Sequence, residues 1–302
     1  MTGPAGTPWP TDGSPWPTAT TRPVVLLGWP ARHSRSPQLH NAAFAADGLD
    51  LVYLALPVPP EELLTVIGAL GTVGALGANL TVPHKQQAVD VCDTLTAEAQ
   101  LIGAVNTLVW SDQGLHGDNT DAAGLRDALA ADVAPAPGER FVVVGTGGAA
   151  RAAVVAVGRL AGRLTVVGRR PQAADDLAAL GEAAGAVEVA SHHLDDPSAV
   201  GAAVESARVV INATPLGMHG EQLPDAVGRV GPGQVAYDLI YEPPVTPFLA
   251  SAERAGATAV NGASMLVRQA GVSFTRWTGR AAPLAVMAAA LGLELPEGRF
   301  SA

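Results

Sequence analysis

The sequence predicts an α/β protein of two domains. Three observations carry this. Short apolar, β-branched runs (24–28, 141–144 and 209–212) recur between longer stretches of helical spacing, the pattern of strands buried in sheets and covered by helices. A glycine-rich turn, Gly145-Thr-Gly-Gly-Ala-Ala150, stands directly between one such run and a helical stretch. A Pro-Ala-Pro-Gly break at 135–138 divides the 302 residues into two parts, each long enough for its own core.

In chain order, residues 1–21 hold Pro4, Pro8, Pro10, Pro15 and Pro17 and no apolar periodicity, so they are expected to form a disordered tail. Residues 24–28 read as a buried strand. A loop follows, then a helix from Pro37 to Asp47, a strand over 50–56, a helix over 61–70 and a strand over 75–80. This alternation predicts a parallel sheet. Residues 88–102 are expected to be helical, 104–110 extended, and 121–131 helical up to the break. Beyond it, 141–144, 164–167, 209–212 and 235–239 read as strands, with helices after the glycine turn and over 246–255. Helices over 265–278 and 283–291 are expected to return to the first domain. The expected division is therefore 22–121 with 262–302, and 122–261.

Net charge is −10, which argues against a nucleic-acid surface. No apolar run reaches the ~18 residues of a membrane span. The single cysteine, Cys92, excludes an intrachain disulfide and fits a reducing cytoplasm. No charged start leads into an apolar core, so no secretory signal is expected.

Lys85 is the only lysine; the other seventeen basic side chains are arginine. A guanidinium stays charged, whereas an ammonium can titrate, so a retained lysine suits a proton-transfer step. Pro83 fits the first position of a helix capped by Thr81 or Val82, which puts Lys85 in the first turn, where the dipole disfavours a cation. A solvated surface lysine is the ordinary alternative.

The turn Gly145-x-Gly147-x-x-Ala150 fits a pyrophosphate resting on a helix N-terminus, with a ligand-free tight turn as the alternative. Where an NAD enzyme places an acidic residue after the second strand, Arg169 and Arg170 stand instead, which suits a 2′-phosphate and hence NADP; two exposed arginines are the alternative. Ser34 and Ser36 precede the helix opening at Pro37 and can donate to a carboxylate, while Ser36 alone reads as an N-cap. His33 and His40 read as structural, since no Cys or acidic residue lies at metal spacing from them. Asn106, in Ala104-Val-Asn106-Thr-Leu, and Asp118 and Asp121, in Gly117-Asp-Asn-Thr-Asp121, stand at strand ends and suit a polyhydroxylated ligand; either aspartate can also cap a helix.

Taken together these motifs resemble the shikimate dehydrogenase family. They are Gly28…His33-Ser-x-Ser36-Pro37…His40-Asn41, Asn79-x-Thr81-x-Pro83-x-Lys85, Ala104-Val-Asn106-Thr-Leu, Gly117-Asp-Asn-Thr-Asp121 and Gly145-x-Gly147-Gly148-Ala149-Ala150. Three further runs match: Asn212-Ala-Thr214-Pro-Leu-Gly-Met218, Asn261-Gly262-x-x-Met265-Leu-Val-x-Gln269-Ala and Trp277-Thr-Gly279. They span residues 24–291 in the family's order.

The resemblance implies an α/β substrate-binding domain and a Rossmann-type NADP-binding domain with the cleft between them. It implies Lys85 and Asp121 as the catalytic pair. Ser34 and Ser36 would bind the substrate carboxylate, Thr81, Asn106 and Gln269 its hydroxyls, and Tyr241 would line the pocket. Gly145, Gly147, Gly148, Ala149, Ala150, Arg169, Arg170, Thr214, Met218 and Gly262 would form the NADP site. The implied reaction is reversible oxidation of shikimate to 3-dehydroshikimate with NADP and no metal, in aromatic amino-acid biosynthesis, by a cytoplasmic monomer or homodimer. One departure stands out. NADP-specific members often have Asn-Arg-Thr after the second Rossmann strand, and this chain has Gly168-Arg169-Arg170. The competing readings are a quinate or aminoshikimate dehydrogenase, a ligand sensor on the same scaffold, and a methylene-tetrahydrofolate dehydrogenase. Ser36 leans toward shikimate, retention of Lys85 and Asp121 argues against a sensor, and the last leaves the two serines unexplained.

Overall fold

The computed structural model describes residues 16–294. The described residues divide into two compact units, one of residues 16–120 and 267–294, the other of 121–266. Asp121 thus opens the second unit.

The first unit begins with β1 (Arg22–Gly28), α1 (Ser36–Ala46), β2 (Leu51–Pro57), α2 (Leu63–Thr72) and β3 (Gly77–Leu80). β1 carries Val24 to Leu27, all buried, and sits between β2 and β3, parallel to both. After β3 the expected helix over 88–102 is replaced by a 3₁₀ turn (Gln87–Val91), β4 (Thr94–Leu95) and α3 (Ala97–Ile102), which Thr96 caps by accepting from the Ala99 N–H. β5 (Thr107–Ser111) and β6 (Gly114–Asp118) form a hairpin, and β5 runs antiparallel to β3. The sheet order is β2-β1-β3-β5-β6-β4. β1, β2 and β3 are parallel, as their alternation with helices predicts; β5 and β6, joined by a connection too short for a crossover, are antiparallel to each other and make the sheet mixed.

Of the stretch expected to be a tail, residues 1–15 lie outside the described residues. Residues 16–21 approach β1, where the Thr20 and Thr21 hydroxyls donate to the exposed Asp50 carboxylate.

The second unit starts with α4 (Asp121–Asp132), then β7 (Arg140–Val144), α5 (Gly148–Arg159), β8 (Arg163–Gly168), α6 (Pro171–Ala183), β9 (Glu188–His193), α7 (Pro197–Ser206) and β10 (Val209–Asn212). β11 (Val235–Asp238), α8 (Pro247–Arg254) and β12 (Thr258–Val260) complete it. All its strand pairs are parallel, in the order β12-β11-β10-β7-β8-β9. Counted from β7 as the first strand, this is the doubly wound order of dinucleotide-binding sheets, whose direction of winding reverses beside the first strand. Its core includes Val142, Val144, Val210, Ala236, Phe248 and Leu249. The return segment carries α9 (Ala263–Thr278) and α10 (Leu284–Ala289). In the first unit, Phe274 and Trp277 of α9 are buried, and the Trp277 indole N–H donates to the Leu108 carbonyl at 3.0 Å. Among the described residues no helix is long and apolar enough to cross a membrane.

Candidate active site

Strand polarity assembles the polar residues of the first unit. β1 and β3 run one way and β5 the other, so the loop after Gly28, the loop after Leu80 and residues 104–106 meet at one end of the sheet. Main-chain bonds tie these loops together. The Thr81 N–H donates to the Leu27 carbonyl at 3.0 Å, Trp29 to Val82 at 3.0 Å, Leu80 to Asn106 at 2.8 Å, and Val105 to Lys85 at 2.7 Å.

Lys85 is partly buried in a run of turns that begins at Val82, ahead of the 3₁₀ segment. This corrects its placement in the first turn of an α-helix. The Val82–Pro83 peptide is cis, and the segment is held by the His84 N–H on the Thr81 carbonyl and the His84 ring on the Val58 carbonyl. The argument from a helix dipole therefore does not apply to Lys85. Its singular retention stands.

Ser34 is half-buried and Ser36 buried at the start of α1. The Ser36 hydroxyl does not cap the helix: Arg35 occupies the N-cap position, and the Ser36 backbone N–H donates to Ser34 Oγ at 3.2 Å. Both hydroxyls thus lie beside an N-terminus with no side-chain cap and no acidic residue in its first turn. Its N–H groups suit an anion.

Asn106 is buried beside the end of β6. Its Oδ1 accepts from the Thr120 N–H at 2.8 Å and its Nδ2 donates to Thr120 Oγ1 at 2.9 Å. Asp118 caps no helix: its carboxylate accepts from Arg276 Nε at 2.7 Å, Thr96 Oγ1 at 2.6 Å and the Asn119 N–H at 2.7 Å, and it serves the fold. Gln269 lies on α9, where its Oε1 accepts from Thr120 Oγ1 at 3.4 Å. In the first unit, Ser34, Ser36, Thr81, Lys85, Asn106 and Gln269 therefore belong to the sheet end or to residues bonded to it.

In the second unit Asp121 is buried as the first residue of α4. The glycine loop bridges β7 and α5. Gly145 has φ +121°, and a Cβ there would press on the Ala213 carbonyl at 3.0 Å. Beyond Gly147 and Gly148 a Cβ would meet nothing within 4 Å, so open space faces the loop. α5, which continues through Ala149 and Ala150, has no side-chain cap and no acidic residue in its first turn. An uncapped N-terminus beneath open space fits a pyrophosphate. The Asn212 loop lies alongside: Thr214 Oγ1 donates to Asn212 Oδ1 at 2.7 Å, and Met218 is exposed. Gly262 leaves no room for a side chain, since a Cβ would fall 2.2 Å from the Leu239 carbonyl; Tyr241 is partly buried in the turn after Asp238.

Arg169 and Arg170 are exposed at the end of β8, and Arg170 Nη2 donates to Thr146 Oγ1 of the glycine loop at 3.4 Å. At Gly168, where the departure from the family pattern falls, a Cβ would lie 2.6 Å from Thr146 Cγ2, so a side chain there requires Thr146 to shift. Two residues escaped sequence reasoning. His193, opposite Gly168 on β9, bonds the Arg169 carbonyl through Nε2. Buried Asp238 accepts from Asn212 Nδ2, Thr246 Oγ1 and the Ile240 N–H and so pins the ends of β10 and β11. Burial raises its carboxyl above the usual range. Neither belongs to a local run that separates it from an ordinary surface His or strand-end Asp.

The second unit thus defines a dinucleotide-binding protein, joined to a unit with a polar sheet end. Comparison with known proteins narrows this. A shikimate dehydrogenase substrate binding domain matches residues 26–108, and a shikimate 5'-dehydrogenase C-terminal domain matches 262–291. The chain is 44% identical over 273 residues to a shikimate dehydrogenase (NADP(+)) of Moorella thermoacetica, covering 89% of this chain and 92% of that protein. It superimposes on a shikimate 5-dehydrogenase of Listeria monocytogenes solved with shikimate and NAD (TM-score 0.83, 30% identity, 93% and 99% of the two chains). It also superimposes on one of Thermus thermophilus solved with NADP(H) and shikimate (TM-score 0.78, 32% identity, 89% and 98%). The chain belongs to the shikimate dehydrogenase family.

Proposed function

We propose that this protein is an NADP-dependent shikimate dehydrogenase that reversibly oxidises shikimate to 3-dehydroshikimate, a step of aromatic amino-acid biosynthesis. The observation that carries the reading is the sheet end of the first unit. There two serine hydroxyls beside an open helix N-terminus suit a carboxylate, and Thr81, Asn106 and Lys85 suit hydroxyls. We assign most substrate contacts to the first unit and NADP binding to the second.

Ser34 and Ser36 donate to the carboxylate and orient the ring. Thr81, Asn106 and Gln269 hold the other hydroxyls, and Tyr241 lines the pocket. Lys85 and Asp121 are assigned to the reacting hydroxyl, with Lys85 moving its proton or stabilising the developing oxyanion. NADP, when bound, supplies the hydride acceptor. Gly145, Gly147, Gly148, Ala149 and Ala150 present the N–H groups for its pyrophosphate. Arg169 and Arg170 pair with the 2′-phosphate, and Thr214, Met218 and Gly262 complete the site.

The purified chain should convert shikimate and NADP to 3-dehydroshikimate and NADPH in equal amounts. No turnover in either direction would overturn the proposal and favour a ligand sensor. Ser34→Ala and Ser36→Ala should each weaken shikimate binding by about 1–3 kcal/mol, through loss of a bond to a charged group. Wild-type Kd in both variants would place the carboxylate elsewhere. Arg169→Ala should raise the KM for NADP by roughly tenfold while leaving NAD nearly unaffected, and Arg170→Ala should do less. Equal loss with both cofactors would show that Arg169 holds the loop rather than the phosphate.

A further inference from the structure

Beneath the sheet end lies a set of buried hydroxyls that the proposed substrate contacts do not use. Ser273 of α9 is fully buried, one turn beyond Gln269. Its Oγ lies 3.1 Å from Asn79 Nδ2, 2.9 Å from Thr107 Oγ1, 3.1 Å from Thr120 Oγ1 and 3.2 Å from the Gln269 carbonyl. Asn79 can only donate to it through Nδ2, so the single Ser273 proton is shared among the Gln269 carbonyl and the two threonine hydroxyls, each of which can accept it.

The partners of this hub are the groups that aim the two amides. Thr107 Oγ1 donates to Asn106 Oδ1 at 2.9 Å, and Thr120 bonds both the Asn106 amide and Gln269 Oε1. Asn79 is held from the other side by the Tyr53 hydroxyl at 2.8 Å. One buried hydroxyl therefore connects β3, β5, the loop at Thr120 and α9. In a site of low dielectric such a network fixes side-chain orientation, because every alternative leaves a buried polar group without a partner.

We propose that Ser273 is a positioning residue for substrate recognition. Through Thr107 and Thr120 it fixes the orientation of the Asn106 and Gln269 amides. The inference rests on the reading that these amides bond the substrate.

Ser273→Ala should raise the KM for shikimate roughly 3- to 10-fold, with kcat within twofold and the KM for NADP unchanged. Thr107→Val removes a second hydroxyl of the same network at constant shape and should act in the same direction. The double variant should raise KM by less than the product of the single effects, because both act through one network. A purely structural role would lower the melting temperature and leave KM where it was. An unchanged shikimate KM in both single variants overturns the inference. If Ser273→Ala fails to fold, Thr107→Val decides alone. Asn106→Ala and Gln269→Ala in the same assay separate the two levels: if they raise KM while the hydroxyl variants do not, only the inference fails. If they leave KM unchanged, the reading beneath it fails as well.

Discussion

Replacing Lys85 by alanine should lower kcat by roughly 10²–10⁴-fold, with a smaller change in substrate binding. The expectation starts from composition: a chain that meets every other need for positive charge with arginine keeps one ammonium. Its turn is fixed from both sides, by the Val105 N–H on the Lys85 carbonyl and by His84 on Thr81 and Val58. A side chain on so constrained a backbone meets a reacting hydroxyl without a large loss of freedom. Lys85→Arg separates charge from proton movement. It keeps the cation but cannot release a proton near neutral pH, so it should restore binding more than turnover. Single-turnover measurements isolate the chemical step. An unchanged rate for that step in Lys85→Ala would remove the lysine from the mechanism.

Lowering the pH from 7 to 5 should cost the first unit roughly 2 kcal/mol of stability through His40 alone. The ring is fully buried, stacked on Tyr53 with 4.5 Å between centroids and tilted against Trp277 at 5.1 Å. Neither ring nitrogen has a hydrogen-bond partner among the described residues. Burial without a partner penalises the cation and lowers the pKa from 6.5 to about 3. The unfolded chain takes up a proton below pH 6.5, while the native state declines it until about pH 3, so stability falls as pH falls through this window. His84, also lowered by burial, acts in the same direction. The four tryptophans among the described residues, Trp16, Trp29, Trp110 and Trp277, lie in the first unit, so fluorescence-detected urea unfolding reports on it. His40→Leu should flatten the dependence between pH 7 and 5 by the stated amount. Parallel loss in variant and wild type would show that the buried ring is not the source.

The parts legible in the sequence are those written in contiguous runs. Val24 to Leu27 and Phe141 to Val144 announce buried strands because both faces are apolar. The Gly145 loop is readable because a tight turn after a strand and before a helix restricts which residues fit. β6 is not legible: Gly114-Leu-His-Gly-Asp118 has neither alternation nor bulk, and it is a strand because the hairpin with β5 makes it one. β9 pairs with one neighbour at the sheet edge, half exposed, so its Glu188, Ser191 and His193 carry no apolar signal. The setting of Lys85 is misread for a related reason. A proline after a strand suits a helix start and a turn equally, and only main-chain bonds from Leu27, Trp29 and Val105 decide between them. Ser273 is invisible from sequence because its meaning depends on Thr107 and Thr120, which are brought to it by strand pairing from more than 150 residues away.

The most direct measurement is kcat/KM of the purified chain for shikimate and for quinate, each with NADP and with NAD. A charge-assisted contact to the 2′-phosphate is worth about 1.5–3 kcal/mol, so NADP should exceed NAD by at least roughly tenfold with shikimate. Shikimate should in turn exceed quinate, because Ser36 stands where quinate-binding members of the family can carry Thr. Equal efficiency with the two cofactors would contradict the assignment of the Arg169 loop, and a preference for quinate would contradict the assignment of shikimate and move the protein to a quinate-type activity.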